Sequence, residues 1–146
     1  MPYVLFHNYF PNVAEQETRS LTVLPDFEAG LPAGNYAFLE MFCDKPGCDC
    51  RRVFFSVFSS LTRSVVAVVA WGWEEPEFYA RWMGDNDPEM LAILKGPDLN
   101  LASRQTRLAP SILKLIRNVL LQDPQYIERI KRHYKMFQGR INKRSR

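Results

Sequence analysis

The sequence predicts an α+β domain, an antiparallel β-meander of about three to four strands followed by about four helices packed on one face of it. Three observations carry that prediction. Runs rich in β-branched and aromatic residues crowd the stretch 18–73. Proline, acidic residues and glycine then punctuate 74–141 in the manner of helix starts and stops. The connections between the clearest strand-like runs are too short for parallel crossovers, so neighbouring strands should be antiparallel.

The elements follow in order. The stretch to Asn12 is aromatic, with Tyr3, Phe6, Tyr9 and Phe10, and reads as packing material. Residues 18–24 alternate well enough for a strand that Pro25 ends, and Gly30, Pro32 and Gly34 mark a loop. Residues 35–42 read as a strand buried on both faces apart from Glu40. Residues 52–58 and 64–71 are the clearest strands, separated by a short polar turn. Glu74-Glu75-Pro76-Glu77 opens a helix that Gly84 stops, and Asp87-Pro88-Glu89 opens another that Gly96-Pro97 closes. Residues 110–121 carry a wide apolar stripe on a third helix. Asp123-Pro124 opens the last, with Tyr126, Ile127, Ile130, Tyr134 and Phe137 on one face and Gly139 as its stop.

A chain of 146 residues that is 47% hydrophobic and 24% charged can bury a core without staples. We read 1–141 as one domain and 142–146 as a basic tail. The first residues lack the charged and apolar segments of a secretory leader, which predicts a cytoplasmic protein. The longest apolar run, 65–71, is far shorter than the roughly 20 residues of a membrane helix, so no membrane association is expected.

All three cysteines, Cys43, Cys48 and Cys50, fall within the eight residues of the 43–50 loop. An odd number cannot close a disulfide framework, and Cys48 and Cys50 are too near in sequence for an easy bridge. Soft thiolates select zinc over hard cations, and a structural zinc takes four ligands. Pro46-Gly47 can turn the chain so that the three sulfurs converge. His133 is the expected fourth ligand, because on an ideal helix it lies about 20° from Tyr126, at the edge of the buried stripe. His7 is the alternative, and Asp44 and Asp49 are weaker ones because a short loop rarely wraps its own carboxylate around the ion it ligates. Without metal, Cys43 would be a small buried hydrophobe and His133 a satisfied core histidine. The Cys48-x-Cys50 word is similar to one in the zinc-chelating module at the tail of the bacterial translocation ATPase. The Ser-Gly and the later Cys-Cys or Cys-His of that module are missing, so no family is assigned.

Charge is uneven. Eight of the nineteen bases lie from Arg129 onward with no acid among them, which leaves the preceding chain with eleven bases and all sixteen acids. Lys131, Arg132, Lys135, Arg140, Lys143, Arg144 and Arg146 form a candidate nucleic-acid-binding ridge on the last helix and tail. The same charges equally suit a solvated helix face. Asp85-Asn86-Asp87 lacks the glycine and glutamate of a calcium loop and reads as a helix cap.

The chain has no glycine-rich phosphate loop, no His-Glu-x-x-His and no serine elbow, so no catalytic residue is assigned. These features predict a small binding or adaptor protein with a structural zinc, its partner a protein or a nucleic acid. The competing reading is an enzyme of unassigned reaction with a pocket near Trp71–Trp82, a stretch that otherwise reads as the seam between helix and sheet.

Overall fold

The computed structural model describes residues 3–144. Its centre is a six-stranded antiparallel sheet. The strands are β1 (Tyr3–Leu5), β2 (Arg19–Val23), β3 (Gly34–Cys43), β4 (Arg52–Ser59), β5 (Ser64–Gly72) and β6 (Asp98–Leu99). The order is β1-β3-β4-β5-β6, and β2 also pairs with β3. β1 aligns with the Met41 to Cys43 end of β3 and β2 with its Gly34 to Phe38 end, so the two short strands share one edge.

Five helices accompany the sheet: α1 (Pro11–Glu17), α2 (Pro76–Met83), α3 (Pro88–Lys95), α4 (Ala109–Asn118) and α5 (Pro124–Arg144). Proline occupies the first turn of α1, α2, α3 and α4, where its missing N–H breaks no helical bond. Asp87 caps α3 by accepting from the Glu89 amide at 3.2 Å. The α+β class is as expected, with more strands and one more helix than the sequence pattern suggests. β1 and β6 span three and two residues, too few for a period to register, and α1 opens at Pro11 in a stretch read only as packing material.

Alternation along β3 sends Tyr36, Phe38, Glu40 and Phe42 to one face, where Val53, Phe55 and Val57 of β4 and Ala67, Val69 and Trp71 of β5 join them. Ile112, Leu115 and Ile116 of α4 and Tyr126, Ile130, Phe137 and Ile141 of α5 close this core. The helices do not all lie on that face. Arg52 shares the opposite face with Phe54, Val68 and Ala70, and its Nε donates to the Leu94 carbonyl of α3 at 3.0 Å, so α3 reaches the other side.

Two sequence expectations about α5 are corrected. Gly139 does not stop the helix, and 142–144 are helical rather than a loose tail. Burial of Phe137 and Ile141 on either side of the glycine carries the helix through it, against a propensity cost of about 1 kcal/mol. Arg146 lies outside the described residues, and Arg144 is described only as the last residue of α5.

Candidate metal centre

The three cysteines converge. The Sγ atoms of Cys43, Cys48 and Cys50 all lie within 4.8 Å of one another, with Cys50 buried and the other two half-buried. Cys43 ends β3, Gly47 turns the chain at φ 75°, and Cys50 stands two residues before β4. A backbone amide supports one of the sulfurs: Lys45 donates to Cys43 Sγ at 3.5 Å. Burial, together with the neighbouring sulfurs, pushes the Cys43 thiol up and the Cys50 thiol up to about 12. A soft divalent cation relieves such crowding by replacing the protons, and three converging thiolates are a donor set that fits one.

The loop is held by the residue that follows Cys50. Arg51 adopts φ 49°, a left-handed conformation uncommon for any residue but glycine. Its amide donates to Tyr134 Oη at 3.1 Å and its carbonyl accepts from Tyr79 Oη at 2.9 Å. Its guanidinium makes two hydrogen bonds to Asp49, lies 3.5 Å from Glu74 and covers the Phe78 ring. Tyr79 reaches the loop by lying over Gly72, where any Cβ would collide with its hydroxyl. Desolvation raises the Tyr79 phenol to about 12 and raises that of Tyr134 as well, so both remain protonated near neutrality.

From α5, a row spaced four residues apart meets the loop. Tyr134 bonds Arg51, Gln138 Nε2 donates to the Cys48 carbonyl at 2.7 Å, and Asn142 Oδ1 accepts from the Gly47 amide at 2.9 Å.

His133 belongs to a different site, and the four-ligand expectation is corrected accordingly. Its Nδ1 lies 2.7 Å from Glu40 Oε1 and its Nε2 2.7 Å from Glu17 Oε1, so neither nitrogen is left for a metal. Tyr126 Oη donates to the other Glu40 oxygen at 2.8 Å, Arg132 pairs with Glu17, and Phe6 stacks on the imidazole at 4.3 Å. Glu40 is three residues from Cys43 along β3, about 10 Å of strand. His133 and Tyr134 are 100° apart on α5, and the tyrosine is the one that faces the loop. Neither His7, which lines a small cavity beside His133, nor Asp44 nor Asp49 joins the sulfur group.

The aromatic stretch 71–82 does not form one pocket wall. Trp71 and Tyr79 are buried, whereas Trp82 is 43% exposed. Trp73 instead packs edge-on against Tyr134 and lines a groove of about 720 Å³ between the cysteine loop and α5, with Asp49, Arg51, Lys131 and Lys135. Among the described residues, no helix is long and apolar enough to cross a membrane. No protein-family model matches the chain, and no curated protein or solved structure matches it significantly.

Proposed function

We propose that Cys43, Cys48 and Cys50 hold a zinc ion whose role is structural, in a small protein that works by binding a macromolecule. The observation that carries this reading is the convergence of three thiols within 4.8 Å at the junction of two central strands. Zinc suits three thiolates better than a hard cation does, and its fourth ligand comes from a donor other than His133.

The structural role rests on where the thiols sit. The ion would close the connection between β3 and β4 directly beneath the row of α5 side chains that bonds the same loop, tying the sheet end to the C-terminal helix. The binding role rests on the basic surface that α5 turns outward. Elemental analysis of the purified protein beside Cys48→Ser tests the metal. One zinc per chain, lost in the variant, is the expected result, and equal metal in both rejects the site.

A further inference from the structure

We propose that the partner is single-stranded nucleic acid, held by phosphate contacts along the outer face of α5 and by an unpaired base against Trp73. This rests on the reading of the chain as a macromolecule-binding protein, and it does not depend on the zinc.

Charge is the first support. Among the described residues, Lys135, Arg140 and Lys143 have no carboxylate within ion-pair distance, whereas Lys131 and Arg132 are paired with Glu128 and Glu17. Last-turn bases also complement the negative end of a helix, but Lys135 lies more than two turns earlier, where that effect has faded.

The second support is Gly139. It lies between Lys135 and Lys143 in the interior of a 21-residue helix, and a Cβ there would meet nothing within 4 Å. Among the described residues, no contact requires glycine at this position, although alanine would favour the helix. A bare helix surface flanked by cations lets a phosphodiester backbone approach closely.

The third is the groove. The sequence pattern shows no aromatic beside the basic ridge, because Trp73 is some sixty residues away in the chain. The fold brings it to the same groove as Lys131 and Lys135, so Lys135 borders both the ridge and the aromatic wall. The acids of that groove are already engaged: Asp49 and Glu74 by Arg51, Glu128 by Lys131. A cationic track beside a concave aromatic site is the arrangement that binds single strands, since a duplex keeps its bases stacked away from such a ring.

The test is fluorescence-anisotropy titration of the full chain with a short labelled oligouridylate and the matching oligothymidylate. A duplex of the same length and polyglutamate serve as competitors. Either single strand should bind, with log affinity falling against log salt at a slope of about −2, from about three phosphate contacts. The exposed double variant Lys135→Glu/Lys143→Glu should bind at least about tenfold more weakly, and Trp73→Leu at least about fivefold more weakly. No binding at low salt, affinity unchanged in the charge-reversal variant, or equal competition by polyglutamate or duplex would overturn the proposal. Zinc content measured on the same samples separates the two readings. Oligonucleotide binding by a metal-free protein would sink only the zinc, and a zinc-loaded protein that ignores oligonucleotides would sink only this partner.

Discussion

Helix α5 meets β3 in two polar places that use similar residue types to opposite ends. At Glu40, a strand carboxylate, a helix histidine and a second carboxylate from α1 complete one another, and Phe6 seals the group. At the cysteine loop, three sulfurs are gathered and braced by an amide and tyrosine hydroxyls, yet two of them stay half-exposed. The difference is whether the lone pairs are already engaged. An imidazole with a carboxylate on each nitrogen is a structural cross-link, and thiols crowded together are a ligand set.

The largest effect expected is at the thiol site. Zinc in isolated fingers is worth on the order of 10–16 kcal/mol of apparent binding free energy. Here Cys50 is buried in the main core and Cys43 and Cys48 pack against it, but most of that core comes from the sheet and from α4 and α5. Chelation should therefore lower the melting temperature by roughly 10 °C without unfolding the chain outright. Complete loss of structure in the chelated protein by circular dichroism would show that the two regions are not separable.

Glu40→Ala should come next. It strands His133 and Tyr126 in the core and should cost about 3–5 kcal/mol in denaturant unfolding, with zinc content unchanged. A variant that folds but loses its metal would join the two sites that the geometry keeps apart.

Tyr134→Phe acts on the brace. It leaves the Arg51 amide without its acceptor and should cost about 1–3 kcal/mol. Zinc affinity should fall about 10–100-fold, as for other residues that hold a ligand in place, measured by competition with a chromogenic chelator. Unchanged affinity would make the hydroxyl irrelevant to the clip.

The smallest effect concerns pH. Hydrogen bonds from His133 first and Arg132 second hold the Glu17 carboxyl below its usual range. A lowered carboxyl stabilises the fold above its unfolded value, and that contribution disappears as pH falls through the folded value. Stability should therefore decline below about pH 4.3, the ordinary glutamate value, less steeply in Glu17→Gln. Identical acid slopes for the two proteins would contradict the assignment.

What could be read in the sequence follows from the range of each signal. β3, β4 and β5 are legible because alternation and β-branching act over five to ten residues, and α2 and α3 because proline and an acid mark their first turns. α4 is legible because of its apolar stripe, and α5 because Asp123-Pro124 precedes a one-faced apolar row. The thiol group is legible because one short loop contains all of it. His133 is on the buried stripe as its spacing suggests, but a single step around the helix decides whether it meets Cys43 or Glu40. That step is fixed by packing across the whole sheet. One signal for the true pairing was present: Glu40 is the charged residue in an otherwise apolar strand, and a buried carboxylate needs a donor. Tyr79, Tyr134, Gln138 and Gly72 carry no motif, and their roles emerge only when three distant segments meet around Arg51.

Zinc stoichiometry measured side by side in the native protein, Cys48→Ser and His133→Ala tests the central claim most directly. The account predicts one zinc per chain in the native protein and in folded His133→Ala, and none in Cys48→Ser. Loss of zinc from folded His133→Ala, or its retention in Cys48→Ser, would contradict it.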